Sequence, residues 1–197
     1  MRSFEIDISN HQKAVAVDCT ALREVILQAL QIEQVSSAVL SVSIVDNRAI
    51  HTVNRDHLQH DCPTDVISFQ LGFERDDHFE EDDSDSADVP KPQCFSRSPD
   101  AAASAKTDAS ALRASGASIE GEIIASAETA SEMAAEGRWS AQDELTLYII
   151  HGLLHICGYD DLTPDEQTIM RSRERTILSA TGRTVVYHEE SEHSSPL

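Results

Sequence analysis

The chain has 197 residues, and 35 Asp+Glu against 15 Lys+Arg give it a formal net charge of −20, which favours solubility and argues against broad, non-specific binding to polyanions. Its four cysteines, Cys19, Cys62, Cys94 and Cys157, are scattered without a CxxC pair, so a reducing compartment is expected rather than a disulfide framework. The N-terminal MRSFEIDISNHQK lacks the apolar centre of a signal peptide, and no apolar run reaches the ~18–20 residues of a membrane span; the expectation is a soluble, cytoplasmic protein with no membrane partner.

Phe4-Glu-Ile-Asp-Ile8 alternates apolar and polar residues, as a strand with one buried face does. From Thr20 to about Val35, the residues Leu22, Val25, Ile26, Ala29, Leu30 and Ile32 recur at three- and four-residue steps, which predicts a helix capped by Thr20. Val39 to Val45 is rich in β-branched side chains and reads as a strand, and Asp46-Asn47 caps a short helix to roughly Arg55. Asp65–Leu71 and Ile119–Ala125 are two further strands. Helices follow: Ser126 to Glu136 with Gly137 as its stop, then Ser140 to about Cys157, where Gly158 ends it. Thr163-Pro164-Asp-Glu opens a last helix to near Ala180, with a cap, a proline at the first helical position and acids in the first turn. The order predicts an α/β fold (mixed α+β), a small four-stranded mixed sheet packed with about five helices.

Residues of about 74–118 depart from this pattern. They hold the acidic run Glu80 to Asp88, three prolines and an Ala/Ser tract, with few large apolar side chains. Such a composition does not repay the entropy of ordering, so a disordered insertion between two strands is expected, either a tolerated surface loop or a protein-interaction segment. The rest of 1–187 reads as a single domain, and 188–197 as a disordered tail in which His188 and His193 are solvated.

The chemistry is concentrated in His151-Gly-Leu-Leu-His155-Ile-Cys-Gly-Tyr-Asp160-Asp161. Histidines four apart on a helix project from one face, one turn apart, and offer two nitrogens to one ion. The run Leu145-Thr-Leu-Tyr-Ile-Ile150 leading in is apolar and expected to be buried, where uncoordinated imidazoles are costly. Gly158 lets the chain turn back sharply, and the spacing H-x3-H-x2-G-x2-[H/D] makes Asp161 the third ligand. Asp160, one residue off, suits a hydrogen bond to a ligand or the acceptance of a proton. Cys157 lies about 200° round the helix from His155 and reads as a buried structural thiol.

Two imidazoles and a carboxylate leave a tetrahedral ion one open position for water, which distinguishes a hydrolytic site from a structural one. The expected cofactor is Zn2+, one ion per chain, or another divalent metal. The same spacing occurs in zinc proteases of the H-E-x-x-H-x-x-G-x-x-[H/D] type, but Gly152 stands where those enzymes carry their glutamate base. That departure speaks against a peptidase.

Several further segments occur together in order: Ser43-Ile-Val-Asp-Asn47, the Asn54 region leading into Pro63-Thr-Asp-Val-Ile-Ser-Phe69, Gly121-Glu-Ile-Ile-Ala-Ser126, the histidine motif to Asp160, and Met170 within Met-Arg-Ser-Arg-Glu-Arg. With these the chain resembles the YbeY family, bacterial single-strand endoribonucleases of ribosomal RNA maturation. The resemblance implies a metal site H-x3-H-x5-H over His151, His155 and position 161, with Asp161 here in place of a histidine. It also puts Leu58 where the family carries a cleft arginine, with Arg55, His57 and His60 as the nearby cations. Thr64, Asp65 and Ser68 fall in or beside the family's cleft strand, where they order a water or contact RNA, or else simply form the turn into the strand. Arg171 and Arg175, with Arg173 and Arg183 close by, either meet RNA or belong to a solvated face paired with Glu174.

The implied activity is metal-dependent cleavage of single-stranded rRNA, with small-ribosomal-subunit proteins as partners of an otherwise acidic chain. Water and the substrate's own 2′-hydroxyl both stay open as the nucleophile. Two rivals remain. One is a non-catalytic ribosome-assembly factor stabilised by metal, favoured by Leu58. The other is a metallohydrolase with a different substrate.

Overall fold

The computed structural model describes residues 2–58, 64–75, 112–137 and 139–184. Their element order is β1 (Ser3–Asn10), α1 (Cys19–Ile32), β2 (Ser37–Val45), α2 (Asn47–Leu58), β3 (Val66–Arg75), β4 (Ala117–Ser126), α3 (Ala127–Gly137), α4 (Ala141–Ile156) and α5 (Pro164–Ala180). The strands form one mixed sheet in the order β1-β2-β4-β3. β1 and β2 are parallel, β2 and β4 are parallel, and β3 runs antiparallel to β4 with a register shift between Gln70 and Gly72. The expected α/β fold, with four strands and five helices, is found among the described residues.

Side chains alternate across the strands. Ile6, Leu40, Val42, Ile44, Ile119 and Ile123 join one core with the buried faces of α1, α4 and α5. The opposite face carries a smaller cluster, Val45, Ile50, Ile67 and Ile124, with Val53 and Phe69 packed against it. That second cluster belongs to α2, so α2 and α4 lie on opposite faces of the sheet.

Local chemistry sets the boundaries. The start of α1 is capped by Asp18 rather than Thr20: its Oδ1 accepts from the N–H groups of Thr20 and Ala21 at 2.9 and 3.0 Å. A carboxylate also suits the positive end of the helix dipole. The same helix stops at Ile32, not near Val35, with Glu33 as its C-terminal cap. Ser140 and Thr163 cap α4 and α5 as expected, accepting from the N–H of Asp143 and Glu166.

The expected insertion over 74–118 is too wide at both ends. β3 continues through Glu74 and Arg75, paired with Ser118 and Ala117, and residues 113–116 form the turn into β4. Composition undervalues these residues because what holds them, the ladder hydrogen bonds of β3 with β4 and the full burial of the small Ala114 and Ala117 in the main core, depends on partners distant in sequence. The rest of that insertion, 76–111, and the tail 188–197 lie outside the described residues, as do His60, Cys62 and Cys94.

Helix α4 lies close against the sheet at two glycines. A Cβ at Gly121 would stand 2.6 Å from Ile156 Cδ1 and 2.8 Å from the Phe69 carbonyl oxygen. One at Gly152 would meet Ile123 Cγ2 at 3.2 Å and Val66 Cγ2 at 3.3 Å. Position 152 therefore faces packed strands, and the absence of a glutamate base there has a steric reason.

Candidate metal centre

The site forms where α4 ends. Cys157 caps the helix, Gly158 follows at φ +87°, and the N–H groups of Gly158 and Tyr159 return to the carbonyls of His155 and Leu154 at 2.9 and 3.0 Å. This is a Schellman closure, and a left-handed residue at that place is what glycine allows without strain. The reversal carries Asp160 and Asp161 back beside the histidine face. Asp160 Oδ1 accepts from the Asp161 N–H at 2.7 Å, fixing the two acids relative to each other.

His151, His155 and Asp161 come together, with one ligand atom of each within 4.8 Å of the others. The two Nε2 atoms are 3.1 Å apart, close to the ~3.3 Å between two nitrogens held at ~2.0–2.1 Å by one tetrahedral zinc. Asp161 completes the triangle, with carboxylate oxygens 3.7 Å from His151 Nε2 and 4.0 Å from His155 Nε2.

The other ring nitrogens fix the tautomers. His151 Nδ1 lies 2.8 Å from Glu174 Oε1, and His155 Nδ1 lies 3.1 Å from the Tyr159 carbonyl oxygen. Both partners are acceptors, so Nδ1 carries the proton in each ring and the Nε2 lone pairs converge. Two lone pairs 3.1 Å apart repel unless a cation lies between them or a proton sits on one, so this donor set fits a divalent ion.

The surrounding charges separate the two imidazoles. Burial lowers the pKa of His151, but the hydrogen bond to Glu174 and the charges of Glu174, Asp161 and Asp65 outweigh it, and the net shift is upward. Burial and the neighbouring His151 together push His155 down, against the pull of Asp161. Burial drives the Cys157 thiol far up, in accord with a structural thiol.

Two clefts flank the triad. The first, about 210 Å³, is lined by His151, Asp161, Asp65, Tyr148, Gln167 and Arg171, among others. The second runs along His155, Asp160, Ser68, Gln70, Arg113 and Glu166. Asp65 thus borders the first cleft, and Ser68 and Asp160 the second. Thr64 lines neither; its hydroxyl lies 3.2 Å from Asp65 Oδ1 and its place is in the turn entering β3.

The cations considered above divide differently from the expectation. Arg173 turns inward and binds Glu33 Oε1 through Nε and Nη2 at 2.9 and 2.6 Å, while Arg183 pairs with Asp143 at 3.0 Å. Arg171 reaches the first cleft. Arg55 pairs with Asp56, and His57 packs edge-on to Phe69 on the α2 side of the sheet; neither lines the two clefts. Glu174 is not on a solvated face: it is 3% exposed and directed at His151. Its role is legible only in the spacing Met170, Glu174, Ile177, which places it on the apolar side of α5. Arg113 falls within the 74–118 tract, where composition gives no signal of a site.

The family model described as Endoribonuclease YbeY matches residues 7–182. A protein named Endoribonuclease YbeY from Carboxydothermus hydrogenoformans is 31% identical over 179 residues, 89% of this chain and 96% of its own. Its namesake from Geobacillus thermodenitrificans is 34% identical over 184 residues, 92% of this chain and 99% of its own. Among solved structures, the solution structure of a Thermotoga maritima protein aligns with 89% of this chain and 90% of its own at 18% identity and a TM-score of 0.48.

Proposed function

The chain belongs to the YbeY endoribonuclease family, and on that premise we propose that it is a metal-dependent endoribonuclease that cuts single-stranded RNA during ribosomal RNA processing. The observation that carries the reading is the convergence of His151 Nε2 and His155 Nε2 at 3.1 Å beside the Asp161 carboxylate. A divalent ion held by these three, zinc being the one that suits two imidazoles and a carboxylate, supplies Lewis acidity and an activated water when bound.

The chain's own groups do the rest. Glu174 and the Tyr159 carbonyl hold the imidazoles in the liganding tautomer. Asp65 on the His151 side and Asp160 on the His155 side are the carboxylates within the clefts that accept a proton or orient the attacking oxygen. Thr64 steadies Asp65 through its hydroxyl, and Ser68 offers a hydroxyl to a phosphate oxygen. Proteins of the small ribosomal subunit are the partners that bring so acidic a chain to RNA, and the cytoplasm is where they meet. No helix among the described residues is long and apolar enough to cross a membrane.

A second reading, a metal-stabilised assembly factor without cleavage, is favoured by Leu58 and by the absence of Arg55 and His57 from the clefts. One experiment separates them. The purified protein is assayed for bound metal and for cleavage of single-stranded rRNA fragments, beside His151→Ala and Asp161→Ala. Loss of both metal and cleavage in the variants is expected. Unchanged metal in both variants removes the site, and metal without cleavage in the parent favours the assembly factor.

A further inference from the structure

The two clefts border different members of the triad, His151 and Asp161 lining one, His155 with the adjacent Asp160 the other. A polymer with its reacting phosphate at the triad has both clefts beside it. In a chain of net charge −20, a cation at the wall of such a cleft is a notable placement. The second cleft has one in Arg113, and it adjoins a further groove lined by Gln70, Phe73, Arg75, Arg113 and Gly158. Arg113 thus stands where the two grooves join, with Arg75 beyond it.

The guanidinium of Arg113 is held in advance. It lies over the Tyr159 ring, 5.1 Å from the centroid, and Nη1 donates to the Gly158 carbonyl at 2.9 Å. Arg75 Nη2 donates to the Arg113 carbonyl and holds the turn from outside. Among the described residues Arg113 has no ion pair. A planar fork fixed on an aromatic face, with donors left over beyond the one bond to Gly158, is suited to phosphate oxygens. The acids of the same cleft are engaged locally: Glu166 with the Thr163 hydroxyl at 3.1 Å and Asp160 with the Asp161 N–H.

Resting on the endoribonuclease reading, we propose that Arg113 contacts a backbone phosphate of the single strand on the His155 side of the metal centre. It replaces no catalytic group; it sets where the strand lies as it leaves the site.

The test is binding of a single-stranded 2′-O-methyl RNA oligonucleotide to the metal-loaded full chain across a series of KCl concentrations, with cleavage of the unmodified strand by the parent protein as a separate readout. Arg113→Gln, which keeps a donor for Gly158 but no charge, is expected to retain its metal. It should lower the slope of log affinity against log salt by about 0.7, one phosphate contact on a single strand. Arg113→Lys, which keeps the charge, is expected to restore most of that slope. Equal slopes for Arg113→Gln and the parent overturn the proposal while leaving the nuclease reading intact. Loss of metal in Arg113→Gln also overturns it, making Arg113 a support of the Gly158 turn. A parent that neither binds nor cleaves RNA removes the nuclease reading and this inference with it.

Discussion

Glu174 and His151, on two different helices, share a 2.8 Å, partly buried hydrogen bond beside the candidate metal centre. A carboxylate on the far nitrogen fixes the ring and raises the basicity of the near one, and such partners are commonly worth about 10- to 100-fold in metal affinity. Glu174→Gln keeps the volume but removes the charge, so zinc affinity is expected to fall by that factor with the far-UV circular dichroism unchanged. Competition against a chromophoric chelator measures it. Equal affinity in parent and variant would mean that Glu174 merely fills its pocket.

Acidity should act on the same pair of rings. The pKa of His151 lies above its ordinary 6.5 and that of His155 below it. A metal must displace whatever protons its ligands carry. Log affinity is thus expected to fall with a slope of about one per pH unit once the pH drops below the raised value of His151, steepening as His155 begins to protonate. For the metal-free fold the signs differ. The raised His151 contributes stability that is fully present below pH 6.5 and lost as the pH rises through its folded value. The lowered His155 costs stability as the pH falls from 6.5 through its own. A metal titration that is flat between pH 6 and 8 would exclude His151 as a ligand.

The juxtaposition of His151, His155 and Asp161 was legible in the sequence because its geometry is local. Spacing of four on a helix, a glycine stop and an acid three residues later describe one turn and its reversal, which neighbouring residues settle among themselves. The caps Ser140 and Thr163 were legible for the same reason. Glu174 was not, because whether a carboxylate in an arginine-rich helix meets solvent or an imidazole depends on what α5 packs against. The place of Arg173 is hidden for the same reason: its partner Glu33 stands 140 residues earlier. The ends of the insertion were lost to a non-local cause too, since the ladder of β3 with β4 joins Arg75 to Ala117 across the acidic tract.

Gly158 links the helix end to Asp161, the third member of the candidate metal centre. Its φ of +87° is one that side chains with a Cβ rarely adopt, and Gly→Ala at such a position destabilises by about 1 kcal/mol or more. Gly158→Ala should lower the melting temperature by a few degrees, about 2–4 °C per kcal/mol for a chain of this size. It should weaken metal binding more than an equally destabilising change remote from the site, because the reversal delivers Asp161. Parallel thermal melts and metal titrations distinguish the two effects. A destabilised variant with parental metal affinity would detach the turn from the site.

The buried acid Glu33 makes the strongest stability prediction. It is fully buried at the end of α1, with Oε1 taking two donors from Arg173 and Oε2 taking the Tyr159 hydroxyl at 2.7 Å. Removing one member of a buried pair strands the other charge, at a cost of about 3–5 kcal/mol, whereas replacing both by apolar side chains is often close to neutral. Arg173→Met should therefore be severely destabilised in urea, and Glu33→Leu combined with Arg173→Met should recover much of the loss. Tyr159→Phe removes only the hydroxyl and is expected to cost about 1–3 kcal/mol. Because His155 is held by the Tyr159 backbone carbonyl and not by its ring hydroxyl, this variant should keep its metal affinity. A double variant no more stable than Arg173→Met alone would show that the network's value lies in joining α1, α5 and the Tyr159 turn rather than in satisfying a buried charge.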